Sequence, residues 1–441
     1  MKNAHIFPAS QALQGDMLCP RDKSFSHRAA MVGALAEGKT GVEGFCFCQD
    51  TISTLNCLSA LGVQIDLFSQ EKRVVIQSNG WSSLHEPENI LEVGNSGTTI
   101  RMLSGIVAGV DGLSILTGDE SIRKRPMKRI IEPLRSTGIG MGGRDADRYP
   151  PLYIQGKNRL RPFSHRLAVS SAQVKSCLIF AALRGESESY LEEPILSRDH
   201  TENMLRYLGA RIERWEHRLT VFPAFSLPAK DFCLPGDASS AAFLMAAATL
   251  VRGSRVVIED MGLNPTRTGF LTCLREMGGE VSVTVEDETF QEPRGNVLVE
   301  SSSLRGMEVT EEMVPGLIDE IPILAVLATQ AVGTTVISGA AELRVKESDR
   351  LHAIAEGLSR LGADISERPD GLVIQGPVHL RGGRVASYGD HRIAMSLIVA
   401  GMVADDEVEV EDMECIGISY PDFFDDLKKI RYSAPKITCE L

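Results

Sequence analysis

The hydrophobic residues of this chain follow a pattern that recurs six times. Each copy opens with a stretch that is apolar on most faces, such as 241-AAFLMAAATL and 321-IPILAVLAT, and a helix of that kind is buried. Most copies continue with a β-rich run, a two-sided helix such as 350-RLHAIAEGLSRLG, and a hairpin candidate such as 72-KRVVIQ. The pattern therefore predicts β-α-β-α-β-β units with buried first helices and outward-facing sheets.

Five of the six copies close on a glycine. These glycines lie roughly 70 to 85 residues apart, a period that marks internal duplication: Gly62, Gly138, Gly209, Gly278 and Gly362. Three such units can share one core, so the pattern predicts an α/β (α+β) protein of two domains. The first three units occupy about residues 22–234 and the fourth opens at 235-PGDASS. Segment 1–21 resembles a strand with its exit turn, which could pair with either domain.

Charge and composition narrow the range of functions. The chain has 441 residues and a net charge of −13, which argues against non-specific binding to nucleic acid or to an anionic membrane. The N-terminus lacks the apolar segment of a signal peptide, and no apolar run is long enough to span a membrane. The nine cysteines include no CxxC pair, so we expect buried, reduced thiols and a cytoplasmic protein.

The first copy puts cations at a helix start. In 21-RDKSFSHR, Lys23 and Arg28 fall at the entry and in the first turn, and Ser24 or Ser26 can cap the helix. The helix dipole disfavours a cation there by about 0.3–1 kcal/mol, whereas the free N–H groups of a helix start bind anions. The arrangement predicts a negatively charged ligand, with a solvated helix start as the alternative.

The second copy, 95-NSGTTIR, places Asn95 and Gly97 at a helix entry and Arg101 one turn later. A glycine there lets the backbone approach a ligand closely. In the nearby basic run 123-RKRPMKR, Arg125 precedes a proline, is held extended, and can point inward. A solvated basic face is the alternative for this run.

The third copy begins a helix with two hydroxyls and an amide, from Ser170, Ser171 and Gln173, and is followed by 197-SRDHTE. Such groups beside free helix N–H groups suit a phosphate or a polyol. Ordinary helix capping explains the two serines equally well. The simplest role for His200 is capping or packing.

Two later segments carry the candidate acid–base groups. In 344-RVKESDR, the spacing of Lys346 and Glu347 from Arg350 predicts that they share one helix face. Asp319 interrupts an apolar stretch that opens a buried helix. Apolar surroundings would raise its proton affinity, so it is a candidate general acid or base. A salt-bridged surface helix is the alternative for 344-RVKESDR.

The last copy gives 389-GDHR, with Asp390 as the predicted N-cap and with His391 and Arg392 in the first turn. The chain shows no metal-ligand spacing. Two carboxylates among about eight cations therefore predict substrates that carry several negative charges.

The motifs resemble one family, the 5-enolpyruvylshikimate-3-phosphate synthases, from end to end of the chain. They are DKSFSHR, VGNSGTTIR, RKRPM, SSAQVKS, SRDHTE, PGDASS, LIDEIP, RVKESDR and GDHRIAM. The resemblance implies two domains of three βαβαββ units each, an inside-out α/β barrel with the active site in the cleft between them. It also implies that segment 1–21 joins residues 235–441, against a first domain of residues 22–234.

The resemblance further implies transfer of the enolpyruvyl group of phosphoenolpyruvate to the 5-hydroxyl of shikimate 3-phosphate, without metal or organic cofactor. Phosphate leaves after a tetrahedral intermediate has formed. Asp319 would take the hydroxyl proton and Glu347 would protonate the methylene, with Lys23 as a rival for part of this work. The residues implied for shikimate 3-phosphate are Lys23, Ser24, Arg28, Ser170, Ser171, Gln173, Arg198, Asp319 and Lys346. Those implied for phosphoenolpyruvate are Lys23, Asn95, Gly97, Arg125, Gln173, Arg350, His391 and Arg392.

Three residues depart from the family pattern. Arg21 replaces a common Gly, Met102 stands where many members have Pro, and Ile418 stands where many have a Lys that contacts phosphoenolpyruvate. The alternatives are the enolpyruvyl transferase that acts on UDP-N-acetylglucosamine and a non-catalytic polyanion-binding module. The first often carries a Cys near 118-GDESIRKRPM, where this chain has none. We expect a monomer that binds neither nucleic acid nor membrane.

Overall fold

The computed structural model describes residues 2–431 and 436–439, and the chain divides into two compact units. The Lys23 unit comprises Arg21–Leu234 and Glu288–Glu292, and the Asp319 unit comprises Met1–Pro20, Pro235–Asp287 and Pro293–Leu441. The sequence pattern did not predict the grouping of 288–292 with the Lys23 unit. These residues lie at the turn between two strands of the other unit, where no periodicity marks them.

The described residues form the expected mixture of helices and strands. The strands are β1 Lys2–Ile6, β2 Gln14–Leu18, β3 Glu37–Glu43, β4 Gln64–Phe68, β5 Arg73–Asn79, β6 Leu91–Glu92, β7 Gly112–Thr117, β8 Gly140–Gly143, β9 Tyr149–Gly156, β10 Ser164–Arg166, β11 Ser189–Glu192, β12 Ile212–Trp215, β13 Arg218–Val221, β14 Phe232–Cys233, β15 Arg255–Gly262, β16 Glu280–Thr289, β17 Glu292–Glu300, β18 Glu308–Val309, β19 Gly333–Ile337, β20 Asp364–Arg368, β21 Gly371–Gly376, β22 Gly383–Ala386, β23 Val408–Glu411 and β24 Lys436–Cys439. The helices are α1 Lys23–Ala34, α2 Gln49–Ala60, α3 Gly97–Val107, α4 Lys128–Ser136, α5 Arg144–Asp147, α6 Ala172–Ala182, α7 His200–Tyr207, α8 Ala238–Leu250, α9 Gly269–Glu276, α10 Val314–Leu317, α11 Ile321–Gln330, α12 Arg350–Arg360, α13 His391–Met402 and α14 Phe423–Lys429.

The strands form six four-stranded sheets of one topology, three in each unit. In each sheet a parallel pair at one edge is extended by two antiparallel strands, as in the order β14-β3-β5-β4. The register of the central pair matches Thr40 with Ile76 and Val42 with Val74. All four side chains are buried, so this face of the sheet turns toward the core. The repeated topology confirms the predicted fold class.

The N-terminal segment supplies two strands to the Asp319 unit. Strand β1 pairs antiparallel with β23 and with β24, and β2 pairs parallel with β15. The sixth repeat lacks a closing Gly and a hairpin of its own, so β1 and β24 complete its sheet. The sequence pattern left the pairing of this segment open because strand pairing over hundreds of residues has no local signal.

The predicted first helices form the buried interior of each unit. Helices α1, α3 and α6 belong to the core of the Lys23 unit, and α8, α11 and α13 to that of the Asp319 unit. Helix α11 contacts both α8 and α13. Cys46, Cys48, Cys177 and Cys273 are buried as predicted, whereas Cys233 is exposed. No helix in the described part of the chain is long and apolar enough to cross a membrane.

A buried chain of side-chain hydrogen bonds joins three helices of the Lys23 unit. Nδ1 of His27 lies 2.7 Å from Oγ1 of Thr54, which lies 2.6 Å from Oγ1 of Thr99. The Thr99 hydroxyl in turn donates to Oγ of Ser96, the N-cap of α3, at 2.6 Å. These hydrogen bonds therefore fix α1, α2 and the start of α3 relative to one another.

His27 should make the stability of the protein depend on pH. Burial, with Lys23 and Arg28 adding to it, holds its pKa well below 6.5. Below about pH 6.5 this histidine becomes protonated in the unfolded chain but stays neutral in the folded protein. The free energy of unfolding therefore falls as the pH falls, by up to about 1.4 kcal/mol per pH unit. Urea unfolding of wild type and of His27→Asn at pH 7 and pH 5 tests this. The wild type should lose more stability than the variant, and equal losses would contradict the prediction.

Candidate active site

The start of α1 presents the first predicted cations. The N-cap is Asp22, whose carboxylate accepts from the Phe25 amide. The predicted capping by Ser24 or Ser26 is therefore wrong; the Ser26 hydroxyl donates to the backbone of Asp22. Lys23 forms a mostly buried ion pair with Asp50 at the start of α2, with 3.1 Å between Nζ and Oδ2.

Arg28 is buried one turn further along α1. Its Nε donates to Oγ1 of Thr201 at 2.8 Å, and Nη1 donates to the carbonyl of Ser24 at 3.0 Å. Its Nη2 donates to Oγ of Ser176 at 3.4 Å. Arg28 therefore contacts Ser24 at the start of α1, where Lys23 pairs with Asp50.

Asn95, Gly97 and Arg125 come together at the start of α3. Nη2 of Arg125 donates to Oδ1 of Asn95 at 2.8 Å. A Cβ on Gly97 would lie 2.7 Å from Nη1 of Arg125 and 3.1 Å from Nη1 of Arg101, so only a glycine leaves room for both guanidinium groups. Arg125 is buried, which excludes the alternative of a solvated basic face for this residue.

Gln173 joins this group from the first turn of α6. Its Oε1 accepts from Nη1 of Arg101 at 2.7 Å, and its Nε2 donates to Oγ1 of Thr98 at 2.9 Å. The amide therefore fixes the Arg101 guanidinium and links the starts of α3 and α6. Arg101 was noted in the sequence motif but was not assigned to a substrate.

The two serines before α6 make internal hydrogen bonds. Ser171 caps the helix by accepting from the Val174 amide at 3.4 Å, so the capping alternative is realised. The Ser170 hydroxyl donates to the carbonyl of Ile195 at 2.6 Å and accepts from its amide at 3.1 Å. Ser170 thereby fastens the segment that carries the half-buried Arg198.

In the Asp319 unit, one buried guanidinium holds three carboxylates. Arg350 donates through Nε to Asp390 at 2.8 Å, through Nη1 to Asp319 at 3.2 Å and through Nη2 to Glu347 at 2.6 Å. Burial alone would lower the pKa of Arg350, but Asp390, Glu347 and Asp319 raise it above its usual value. The two predicted acid–base residues are therefore held on adjacent nitrogens of a permanently charged group.

Asp319 is surrounded by cations. Besides Arg350, the ammonium of Lys346 lies 3.7 Å from Oδ1, and guanidinium nitrogens of Arg267 and Arg392 each lie 3.9 Å from Oδ2. Nearby positive charge stabilises an ionised carboxylate. Its surroundings are therefore not the apolar ones that the sequence suggested, because three segments far apart in sequence bring cations to it.

The 344-RVKESDR segment is a turn before a helix rather than a helix face. Helix α12 begins at Arg350, and the carboxylate of Asp349 caps it by accepting from the His352 amide at 3.1 Å. Lys346 has an extended backbone, so the predicted helix face shared by Lys346, Glu347 and Arg350 is wrong. The ion pair of Glu347 with Arg350 forms nevertheless.

Helix α13 begins as the sequence predicted. The carboxylate of Asp390 caps it by accepting from the Arg392 amide at 2.9 Å. Arg392 is buried and its Nη1 donates to the carbonyl of Asp319 at 3.0 Å. His391 is also buried. The last repeat therefore brings a third guanidinium to Asp319, after those of Arg350 and Arg267.

Sequence reasoning missed Arg267 and Asp237. Nη2 of Arg267 donates to Oδ1 of Asp237, the N-cap of α8, at 2.7 Å. Burial raises the pKa of Asp237, but Arg267 and Arg392 outweigh it and lower the pKa overall. The signal for Asp237 was its place at the start of the fourth repeat, equivalent to Asp390 in the sixth, whereas nothing local marked Arg267.

One group of side chains has the composition of a metal site. Ligand atoms of Asp199, His200 and Glu292 lie within 4.8 Å of one another in the described residues. Oε1 of Glu292 lies 3.0 Å from Nδ1 of His200 and accepts from Nδ2 of Asn203 at 2.9 Å. The His200 ring also packs on Phe25, with ring centroids 4.1 Å apart. These contacts give His200 the packing role predicted for it.

The three departures from the family pattern lie in structured surroundings. Met102 is fully buried within α3, and Ile418 packs against the core of the Asp319 unit. A Cβ on Gly44 would lie 3.3 Å from Nη1 of Arg21. Met102 keeps the backbone N–H that a proline would remove from the helix, and Ile418 contributes an apolar side chain where a cation is common.

Several repeats bring cations and carboxylates together at helix starts. The family model for EPSP synthase (3-phosphoshikimate 1-carboxyvinyltransferase) matches residues 8–427. Relatives named 3-phosphoshikimate 1-carboxyvinyltransferase, from Bacillus cereus (strain B4264) and Bacillus thuringiensis (strain Al Hakam), are 44% identical over 98% of this chain and 100% of each relative. The EPSP synthase of Acinetobacter baumannii has the same fold, with a TM-score of 0.88, 37% identity and complete coverage of both chains.

The chain belongs to the EPSP synthase family. The family model and the relatives confirm the resemblance inferred from the motifs, and the solved structure confirms the fold. The chain is thus a transferase of the enolpyruvyl type.

Proposed function

We propose that this chain transfers the enolpyruvyl group of phosphoenolpyruvate to the 5-hydroxyl of shikimate 3-phosphate and releases phosphate. Family membership and the names of the relatives support the reaction. At the level of residues, the proposal depends on one observation: Arg350 donates hydrogen bonds to both Asp319 and Glu347. That contact brings two proton-transfer groups together beside cations that suit anionic substrates.

We propose the substrate contacts that the family resemblance implies. The Lys23 unit contributes Lys23, Ser24, Arg28, Ser170, Ser171, Gln173 and Arg198 toward shikimate 3-phosphate, and the Asp319 unit contributes Asp319 and Lys346. Phosphoenolpyruvate is assigned to Lys23, Asn95, Gly97, Arg125, Gln173, Arg350, His391 and Arg392. Guanidinium groups suit this task because they bind phosphate and carboxylate through paired N–H groups.

In the proposed addition step, the Asp319 carboxylate accepts the proton of the 5-hydroxyl while that oxygen attacks C2 of phosphoenolpyruvate. The electrons of the C2–C3 double bond take a proton at C3 from Glu347. In the elimination step Glu347 takes a proton back from C3 while the bond from C2 to the phosphate oxygen breaks, which gives the enol ether. The proton held by Asp319 passes to the leaving phosphate.

The remaining predictions concern the setting of the reaction. We propose that one substrate pair uses residues of both units, that the enzyme acts as a monomer, and that it works in the cytoplasm. Support comes from the sequence, since the residues assigned to each substrate derive from both 22–234 and 235–441. Light scattering coupled to gel filtration tests the monomer.

Release of inorganic phosphate tests the reaction directly. The purified protein is given phosphoenolpyruvate with shikimate 3-phosphate or with UDP-N-acetylglucosamine, and the enol ether is identified by NMR. Release with the first acceptor alone is expected. Release with UDP-N-acetylglucosamine alone would favour the sister transferase. Failure with both, together with retention of RNA on a filter, would favour the polyanion-binding module.

Replacing Gly97 with alanine should weaken binding of phosphoenolpyruvate. The new Cβ would approach Arg125 and Arg101 to 2.7 and 3.1 Å. These are the ends of flexible side chains, so the protein folds and the guanidinium groups move. We expect the KM for phosphoenolpyruvate to rise about tenfold, which corresponds to ~1.4 kcal/mol, in the phosphate-release assay.

Gly383→Ala is the control for this substitution. A Cβ there lies 3.7 Å from its nearest neighbour in Leu361, an ordinary van der Waals distance. Its KM should match that of the wild type. An unchanged KM in Gly97→Ala would show that Arg125 and Arg101 do not position phosphoenolpyruvate.

A further inference from the structure

A fully buried lysine in the Lys23 unit has no part in the reaction described above. Lys175 lies in α6, two residues after Gln173, and its side chain is 0% exposed. Its ammonium lies 3.1 Å from Oε2 of Glu193 and 2.8 Å from Oε1 of Glu202. Arg214 approaches the same two oxygens at 3.2 and 3.0 Å. We call these four residues the buried tetrad.

The tetrad is bonded to the loop that carries Arg198. This loop, residues 193–198, joins β11 to α7. Oε1 of Glu193 accepts from the amide of Ser197 at 3.1 Å and from its hydroxyl. The ammonium of Lys175 donates to the carbonyl of Ser197 at 3.0 Å. Every polar group of Ser197 is therefore held by the tetrad.

The other end of the loop is held from the start of α6. The hydroxyl of Ser170 binds both the carbonyl and the amide of Ile195. The loop is thus fixed at Ile195 and at Ser197, on the two sides of Leu196. Arg198, which follows directly, has little freedom to move its backbone.

Stability alone is a weak reason for such a group. Each buried charge costs several kcal/mol of desolvation, and well-packed apolar residues often replace a buried ion pair without loss. Two positive and two negative charges also leave the tetrad neutral, so it adds no net field to an anion site. What an apolar replacement could not supply is the set of hydrogen bonds to Ser197.

We propose that the buried tetrad is a positioning device that fixes the 193–198 loop, and with it Arg198, for the phosphate of shikimate 3-phosphate. The inference deepens the proposed function and rests on it for the identity of the ligand. A guanidinium held in place before binding loses less conformational entropy when the phosphate arrives. Glu193 and Lys175 act through the loop and are positioning residues, not catalytic ones.

Two matched variants separate positioning from stability. In Glu193→Gln one of the two carboxylate oxygens becomes an NH₂ group, which can only donate hydrogen bonds. Ser197 and the two cations also offer donors to this side chain. Whichever of them the NH₂ group faces, the hydrogen bond on that side is lost. Glu202→Gln removes the same charge from the tetrad. Its cations share one oxygen, Oε1, so the amide can keep both contacts, and the side chain does not bind the loop.

The steady-state readout is the KM for shikimate 3-phosphate. Glu193→Gln should raise it about 10- to 100-fold, since small misplacements of positioning groups have effects of that size. Its kcat and its KM for phosphoenolpyruvate should stay within about threefold of wild type. Glu202→Gln should leave all three constants near wild type. An equal rise of KM in both variants, or no rise in either, would overturn the inference.

Hydrogen exchange of the ligand-free protein tests the loop independently of turnover. The Ser197 amide should exchange at least about tenfold faster in Glu193→Gln than in Glu202→Gln, while amides within α6 exchange alike. Equal exchange at Ser197 would overturn the inference. If wild type failed to convert the substrates, the proposed function would fail, and the exchange result would still decide whether the tetrad fixes the loop.

Glu193→Asp provides a second variant if Glu193→Gln does not fold. It keeps the charge but shortens the side chain by one methylene, so it reaches Lys175 or Ser197 but not both. A KM for shikimate 3-phosphate between those of wild type and Glu193→Gln is expected. A KM equal to that of wild type would show that the distance from Glu193 to the loop has no effect.

Discussion

Replacing Asp319 with asparagine is expected to lower kcat by about 10²–10⁴-fold, the usual contribution of a general base. Asparagine has the shape of aspartate and can still accept from Arg350, but it cannot take the proton of the 5-hydroxyl. Phosphate release under saturating substrates measures the effect.

The changes in kcat and in the two KM values distinguish a catalytic role of Asp319 from a role in substrate binding. If the carboxylate removes the proton, kcat falls while both KM values change little. If it only orients Lys346 and Arg350, the KM values rise and kcat is kept. Near-normal turnover in Asp319→Asn would reject the assignment.

Asp349→Asn is the matched control for that variant. Asp349 caps α12 and pairs with Arg344 at 2.8 Å, one residue away from Arg350. Asparagine caps a helix as well as aspartate does, so α12 and its Arg350 should stay in place. Turnover within about threefold of wild type is expected. A loss as large as that of Asp319→Asn would indicate a general effect of lost negative charge.

The helix starts that form the site were predictable because their signals are local. A capping residue lies within three positions of the amide that it binds, and Asp390 and Ser171 cap as their motifs indicated. The sixfold repeat gave the fold class for a related reason. Each βαβαββ repeat has its own hydrophobic pattern, which can be read without knowing how the repeats are arranged in space.

The surroundings of the carboxylates were not predictable from local pattern. Asp319 follows an apolar stretch, yet its neighbours Arg267, Lys346 and Arg392 come from three other segments. In 344-RVKESDR, residue spacing alone predicted the wrong local structure. A turn before a helix can bring Glu347 to Arg350 just as a helix face can. Lys175 gave no signal at all, because its partners lie on later elements.

Several cations of the site pair with carboxylates of the protein. Lys23 binds Asp50, Arg267 binds Asp237, and Arg350 binds three carboxylates. Carboxylates of the protein thus offset the mutual repulsion of the cations. Anionic substrates must compete with these carboxylates for the cations.

Replacing Glu347 with glutamine is expected to lower kcat by about 10²–10⁴-fold, because the variant has no proton to give to C3 of phosphoenolpyruvate. Glutamine can still accept from Arg350 through its carbonyl oxygen, so the guanidinium stays in place and the KM for phosphoenolpyruvate should change little. Turnover in D₂O, followed by NMR of C3 in the product, measures the proton transfer itself.

Deuterium incorporation at C3 should slow by the same factor as phosphate release. The rival donor is Lys23, whose replacement by methionine gives the discriminating comparison. If Glu347→Gln raised the KM but kept kcat, while Lys23→Met abolished incorporation at C3, the proton would come from Lys23. Glu347 would then serve only to hold Arg350, the group that binds both proposed proton-transfer carboxylates.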